Sequence, residues 1–205
     1  MACNHKFQNY LKLERIDFEP STLIVGTFNP SVEGNKAEWF YGRKENNFWD
    51  VLPKIYGENS IRGATPADWK AFCKRHKIAI TDLISCIEDA DLSIPLDIKQ
   101  LKTYLDKTIA EKYEKHSDVE IVDLLISNPT IKNVYLTRAA KEKFWKTRWT
   151  KVEQYAQNNK LHEQKLITPS RYAFYQQSKY NKLNPLTPIS LEEYIMQNWR
   201  SKWHF

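Results

Sequence analysis

Short apolar runs followed by polar residues recur four times along the chain, and each run predicts a strand. The runs lie at residues 23–25, 78–83, 134–136 and 166–168. Uninterrupted apolar runs are typical of strands that are buried on both faces of a parallel sheet. Because stretches with helical signals separate the runs, we expect an α/β protein: a three-layer sandwich with a central, mostly parallel four-stranded sheet flanked by helices.

The helices are predicted from capping residues and from the spacing of apolar positions. Asn46 or Asn47 can cap a helix that begins at Phe48, and Thr65-Pro66 opens a helix that runs to about residue 77. Further helices are predicted at residues 96–116, 121–127, 138–157 and 191–199, with capping boxes at residues 117–120 and 190–193. Residues 170–188 show no periodicity and predict a long functional or lid loop.

The composition bounds the class of protein without identifying it. The 205 residues are most simply one domain, 1–205, and a content of 41% hydrophobic and 27% charged residues is ordinary for a globular protein. Aromatic residues make up 13%, and the formal net charge is +6. Cations and aromatic rings together suit a nucleic acid, because cations neutralise phosphates and rings stack on bases. Alternatively the rings fill the core and the charge serves solubility, and composition alone favours this second explanation.

The cysteines and the apolar segments exclude several other classes. Cys3, Cys73 and Cys86 are too widely spaced for a disulfide framework, a four-ligand zinc site or an iron–sulfur cluster, so we expect reduced thiols and no metal. The first 20 residues carry charges throughout and lack the apolar core of a signal peptide. No run approaches the roughly 18 apolar residues of a membrane span. These features predict a cytoplasmic protein that does not associate with membranes.

The most informative segment is residues 23–49, where a predicted buried strand runs into a polar, aromatic-rich loop and then a helix. Residues 26–31 read GTFNPS and residues 40–49 read FYGRKENNFW. These resemble the first motif of the uracil-DNA glycosylase superfamily, nearest to its mismatch-specific uracil and hypoxanthine-DNA glycosylase branches. Residues 80–86 (ITDLISC) and 124–134 are similar to later parts of the hypoxanthine branch. Residues 166–170 (LITPS) stand where the superfamily has its second motif, and residues 96–114 look like an insertion.

The resemblance implies one uracil-DNA-glycosylase-like domain that hydrolyses the N-glycosidic bond of a deaminated base, uracil or hypoxanthine, in DNA. Such an enzyme initiates base excision repair and acts on damaged or mismatched DNA as a monomer, without a cofactor or a metal. No lysine stands out as the reactive amine that a lyase step requires, so a monofunctional hydrolase is expected. The alternative is a non-catalytic nucleic-acid-binding module that retains the glycosylase-like fold.

Three polar side chains are the candidates for catalysis. Breaking the bond between base and sugar produces an oxocarbenium-like sugar, so a carbonyl or carboxylate that positions water promotes the reaction. The resemblance points to Asn29 or Asn46, and the NH₂ of either can also read a base carbonyl. Asp82 ends the second predicted strand, where it can activate water or cap the following helix.

The two asparagines remain alternatives because the first motif departs from the usual pattern. Members with a catalytic asparagine read Gly-x-Asn-Pro-Gly, whereas here Asn29 is the third residue after Gly26 and Ser31 replaces the last glycine. The hypoxanthine branch lacks that asparagine and is similar at Asn46. Without the resemblance, Asn29-Pro30 reads as a turn and Asn46 as a helix cap.

Aromatic and basic residues near these positions are the candidates for binding DNA. A flipped base must be held against an aromatic face, for which Phe28, Tyr41 and Trp49 are candidates, although a ring at a helix start is more often core. Candidates for contact with DNA are Lys44, Ser170 and Arg171. The last two follow the fourth predicted strand, where they can hold a phosphate or fill the gap left by a flipped base. The aromatic residues that follow, Tyr172, Phe174 and Tyr175, can stack there.

Overall fold

The computed structural model describes all 205 residues, which form seven strands, eight α-helices and two short 3₁₀-helices. The strands are β1 (Cys3–Asn4), β2 (Thr22–Gly26), β3 (Ile78–Asp82), β4 (Ile84–Ile87), β5 (His116–Asp118), β6 (Asn133–Leu136) and β7 (His162–Lys165). The helices are α1 (Phe48–Ile55), α2 (Pro66–Arg75), α3 (Pro95–Leu101), α4 (Asp106–Lys112), α5 (Ile121–Ser127), α6 (Lys143–Asn158), α7 (Phe174–Leu183) and α8 (Leu191–Arg200). The 3₁₀-helices are Gln8–Tyr10 and Arg171–Ala173.

Four strands form the central sheet in the order β3-β2-β6-β7, and every neighbouring pair is parallel. The predicted four-stranded parallel sheet is therefore confirmed, with β2, β3 and β6 at the predicted positions. The fourth strand is His162–Lys165, immediately before the apolar run that predicted it. Because successive connections run to opposite sides of β2, the carboxyl ends of β2 and β6 border the crevice where such sheets bind ligands.

Side chains of the sheet point alternately into two apolar cores, so helices cover both faces. On one face, Leu23 and Val25 of β2 share a core with residues of α3 to α6. On the other face, Ile24 shares a core with residues of α1, α2 and α8. Trp145 and Trp149 of α6 are fully buried in the first core. Much of the aromatic content is therefore explained by packing and needs no nucleic acid.

A second sheet, which the sequence did not predict, fixes the N-terminal segment against the first. It is antiparallel, in the order β1-β4-β5, and β4 begins two residues after the end of β3. The backbone N–H of His5 donates to the carbonyl of Ser85 at 2.8 Å, and His5 also forms an isolated bridge with Pro30. These contacts bring His5 to the carboxyl end of the central sheet.

Several helix predictions are wrong in detail. The helix predicted over residues 96–116 is two helices, because Tyr104 between α3 and α4 has a φ of 55°, which a right-handed helix does not allow. The predicted loop at residues 170–188 contains α7. No capping box stands before α5, since Ser117 and Asp118 belong to β5. At α2 and α8, the side chains of Thr65 and Ser190 accept backbone N–H groups as predicted.

Candidate active site

A cavity of about 830 Å³ opens beyond the carboxyl ends of β2, β3 and β6. Its wall includes Gly26 and Thr27 at the end of β2, Asp82 at the end of β3 and Thr137 after β6. The start of α4 with the turn before it forms one side, and residues 165–172, at the end of β7 and beyond it, form another. The cavity therefore lies where the strand pattern predicts a ligand site.

Because Gly26 has no side chain, the side-chain oxygens of Asp82 and Tyr41 can lie at the centre of this cavity. Gly26 lies opposite Asp82 in the register of β2 and β3. A Cβ atom on Gly26 would lie 2.0 Å from Asp82 Oδ1 and 2.6 Å from Tyr41 Oη. The two oxygens are thus close neighbours in front of the glycine, and any larger residue there displaces them.

The Asp82 carboxylate is buried and is held by a histidine from the N-terminal segment. His5 Nε2 lies 2.7 Å from Asp82 Oδ2, and the His5 side chain is fully buried. The backbone N–H of Phe7 donates to His5 Nδ1 at 2.9 Å, so Nε2 carries the ring proton and donates it to the carboxylate. Oδ2 is therefore occupied, whereas Oδ1 lies beside Gly26 and accepts no hydrogen bond from the protein. His5 was not predicted as a site residue, because a lone histidine far from the motifs carries no signal for this role.

Tyr41 lines the cavity with a ring that is stacked flat on Phe48, with centroids 3.9 Å apart and planes at 4°. Its backbone has a φ of 56°, an uncommon conformation for a residue of this size. Thr137 donates its hydroxyl to the Val25 carbonyl at 3.3 Å, so Tyr41 donates to Thr137 Oγ1 at 2.9 Å. Burial, followed by the negative charge of Asp82, raises the pKa of Tyr41 well above its usual 10.0. The side chain is therefore a neutral hydrogen-bond donor.

Asn29 and Asn46 both line the cavity, and each uses its amide oxygen to support the local fold. Asn29 Oδ1 accepts a hydrogen bond from Asn35 Nδ2 at 2.7 Å. Asn46 Oδ1 accepts the backbone N–H of Phe48 at 2.9 Å, at the start of α1. Neither Nδ2 group donates within the protein. Both asparagines can therefore offer an N–H to a ligand, while their oxygens are already engaged.

A second carboxylate, Asp106, lies within residues 96–114 and was not predicted from the sequence. It begins α4 and lines the cavity. Thr27 Oγ1 donates to Asp106 Oδ1 at 2.7 Å, and Arg138 Nη1 donates to Oδ2 at 2.5 Å. Enclosure by the surrounding protein, only partly opposed by Arg138 and Thr27, raises the pKa of the Asp106 carboxyl. This segment thus supplies one wall of the cavity and a partly buried ion pair.

The three predicted base-binding rings have different positions. Trp49 is wrongly assigned: its side chain is in the core, 1% exposed, and donates its Nε1–H to the Phe40 carbonyl at 2.9 Å. Phe28 lines the cavity but is mostly buried, edge-on to His5 with centroids 5.7 Å apart. Of the three rings, Tyr41 is therefore the most accessible to a ligand in the cavity.

The cavity wall carries more positive than negative side chains. Seven of its residues are Lys or Arg, and four are Asp or Glu, so the cavity favours an anionic ligand. Lys44 is exposed and lies outside the wall, whereas its neighbour Arg43 lines it and stacks on the Tyr104 ring at 3.8 Å. Ser170 lines the wall and its hydroxyl accepts the backbone N–H of Tyr172. Arg171 is exposed at the same side of the cavity.

Other kinds of site receive no support from the structure. No three His, Cys, Asp or Glu side chains converge in an arrangement that could hold a metal ion. The three cysteines are free, and burial raises the pKa of Cys3 and of Cys73 to about 12, which leaves both as unreactive thiols. None of the helices has the length and apolar character needed to cross a membrane.

The fold is shared with a known structure. No protein-family model matches the chain, and no curated protein matches it. Among solved structures, it is similar to the solution NMR structure of a "putative Uracil DNA glycosylase" from Methanosarcina acetivorans, at 15% sequence identity and a TM-score of 0.52. The similarity covers 92% of this chain and 94% of that one. The chain therefore shares the fold of that structure.

Proposed function

We propose that this chain, which has a glycosylase-like fold, is a monofunctional DNA glycosylase that removes a deaminated base, uracil or hypoxanthine, by hydrolysis. The observation that carries the proposal is the Asp82 carboxylate, which is buried with one oxygen bonded to His5 and the other free beside Gly26. It lies in a cavity of about 830 Å³, within the size range of small-molecule sites. A carboxylate in this position is what hydrolysis of an N-glycosidic bond needs.

In the proposed reaction the bond between C1′ of the sugar and the base nitrogen breaks, and its electron pair leaves with the base. Asp82 Oδ1 positions a water molecule, whose oxygen bonds to C1′, and accepts the proton that this water loses. The negative charge of the carboxylate also stabilises the cationic sugar before water adds. The departing base takes up a proton from solvent. His5 keeps the carboxylate in one orientation by holding Oδ2.

Base recognition is assigned to the amide groups of Asn29 and Asn46 and to the ring of Tyr41. Both Nδ2 groups lack partners in the protein and can donate to a base carbonyl. Uracil and hypoxanthine each carry a carbonyl where cytosine and adenine carry an amino group, so a donor there favours the deaminated base. Tyr41, supported from behind by Phe48, offers a rigid ring for stacking.

One observation favours the second candidate, a non-catalytic module that binds nucleic acid. The amide oxygens of Asn29 and Asn46 are both engaged in local hydrogen bonds, so neither is free to position water as a catalytic asparagine does. In this case the cavity accepts an unpaired base and leaves the glycosidic bond intact. The two candidates differ only in whether free base is released.

The test uses DNA strands with a single uracil or hypoxanthine, incubated with the protein and then treated with alkali to cut abasic sites. We expect cleavage by the wild-type protein and a large loss with Asp82→Asn. Asn29→Ala and Asn46→Ala should weaken discrimination between uracil and cytosine more than they slow the chemical step. Binding without release of any base supports the module, and absence of DNA binding at ~50 mM salt contradicts both candidates.

A further inference from the structure

A shallow groove adjoins the mouth of the cavity and is lined by exposed aromatic rings. It has a volume of about 390 Å³, and its lining residues are Arg171, Tyr172, Phe174, Tyr175 and Leu191. Arg171 and Tyr172 also line the main cavity, so the groove lies directly beside it. The rings of Tyr172, Phe174 and Tyr175 are 57%, 56% and 77% exposed. Such a cluster of exposed rings is a feature of interaction surfaces.

Helix α7, which contributes Phe174 and Tyr175 to the groove, carries positively charged side chains beyond it. Tyr175, Lys179 and Lys182 are spaced by four and then three residues, so they lie along one face of α7, and all three are exposed. Neither lysine forms a salt bridge, and neither does Arg171. Residues 166–191 contain no Asp or Glu at all. The face therefore presents rings next to the cavity and unpaired cations beyond them.

We propose that the groove and this face of α7, together the α7 surface, bind the unpaired nucleotides next to the base held in the cavity. Rings stack on bases that are free of their own neighbours, and the two lysines and Arg171 then lie along the phosphates. The protein consequently prefers a lesion in single-stranded or looped DNA to the same lesion in a continuous duplex. The inference rests on the proposed function for the base in the cavity, whereas binding at the α7 surface requires no catalysis.

Charge argues for this occupant over a protein. The buried centre of a protein interface is depleted in lysine, whereas Lys179 and Lys182 lie on the same stripe as Tyr175. A second copy of the chain would place like charges against each other, because residues 166–191 contain no acid. Of the two acids that follow, Glu192 pairs with Lys54 and Glu193 accepts a hydrogen bond from Gln197. A single strand of nucleic acid can stack its bases on the rings and place its phosphates beside the cations.

The experiment measures binding of a lesion-free, fluorescently labelled oligothymidine strand and of a lesion-free duplex of equal length by anisotropy at ~50 mM salt. We expect the single strand to bind more tightly. Tyr175→Ala should weaken single-strand binding by about 5- to 150-fold through the loss of one stacked base. Replacing Lys179 and Lys182 together by Gln should lower the salt dependence, reducing the slope of log affinity against log salt by roughly 1.4.

Matched controls lie near the amino-terminal end of β6, whereas the cavity lies at the carboxyl ends of the strands. Ile126→Ser removes an exposed apolar side chain from α5, and Lys132→Gln removes an exposed charge. Both should bind the single strand like the wild type.

The inference is overturned by equal affinity for single strand and duplex, or by an unchanged affinity in Tyr175→Ala. Dimerisation in sedimentation that Tyr175→Ala abolishes would also overturn it, by identifying the α7 surface as an interface between copies. Loss of single-strand binding in the α7 variants, with no base released from any lesion by the wild type, supports the surface and contradicts the proposed enzyme. If the wild type and the α7 variants release base equally well from single-stranded and duplex DNA, the proposed enzyme is supported and the role of the α7 surface is contradicted.

Discussion

Substituting Gly26 by Ala perturbs the centre of the cavity with a single methyl group. The added carbon would lie 2.0 Å from Asp82 Oδ1 and 2.6 Å from Tyr41 Oη, closer than non-bonded atoms approach, so both side chains must shift. Asp82 cannot swing away freely, because His5 holds its other oxygen. Overpacking of this kind costs ~1–3 kcal/mol of unfolding free energy. For a chain of this length the melting temperature should fall by about 2–12 °C.

The rate of base release should fall far more than stability does. A displacement of about 1 Å at a reacting group reduces a rate on the order of 100-fold. We therefore expect Gly26→Ala to be folded by circular dichroism and to release base about 100-fold more slowly. Single-turnover measurements with protein in excess separate this effect from weaker DNA binding.

Gly57→Ala is the matched control. Gly57 has a φ of +76°, and no atom lies within 4 Å of the position that a Cβ would take, so Ala there is strained in its backbone and clashes with no side chain. The strain costs ~1–2 kcal/mol, comparable to the cost at Gly26. Gly57 does not line the cavity, so base release should proceed at the wild-type rate. A wild-type rate in Gly26→Ala, or an equal loss in both variants, would refute the assigned geometry.

Three further predictions concern polar groups that the fold shields from water. His5→Phe removes the donor to Asp82 and the acceptor of an amide, so urea denaturation should show a loss of ~2–5 kcal/mol; an unchanged midpoint contradicts the bond. The pKa of Asp106 is raised in the folded protein above 3.8, so the stability that this carboxyl contributes is lost as pH rises from there. The melting temperature of Asp106→Asn should therefore increase relative to that of the wild type over this range. Burial raises the pKa of Tyr135 from 10.0 to about 12, so stability falls across this range, and Tyr135→Phe should lessen the fall in alkaline unfolding.

The central strands were predictable because burial on both faces imposes an apolar run. β2, β3 and β6 have that pattern, since each packs into both cores. The edge strand β7 reads His-Glu-Gln-Lys and is only half-buried, so it has no such run. Helix periodicity likewise continues through Tyr104, whose positive φ divides α3 from α4. A local pattern records burial and does not record where the backbone turns.

The cavity was predictable in part, for the same reason. Residues at strand ends, such as Asp82, could be placed from chain order, because parallel strands end at one edge of the sheet. His5 and Asp106 reach the site through contacts with residues 77 and 79 positions away, which no local pattern contains. Trp49 follows a polar loop, and its turn into the core depends on packing against α2. His5, which orients the carboxylate, and Asp106, which lines the cavity, could therefore be identified only from the structure.

Release of free base from DNA by the wild-type protein and by Asp82→Asn tests the proposed activity most directly. The substitution keeps the shape of the side chain and the bond from His5, and it removes only the charge and the basic oxygen. We expect the wild type to release uracil or hypoxanthine, and Asp82→Asn to do so about 10²- to 10⁴-fold more slowly under single-turnover conditions. No release of either base by the wild type, or an unchanged rate in Asp82→Asn, would contradict the assignment of this cavity as a glycosylase active site.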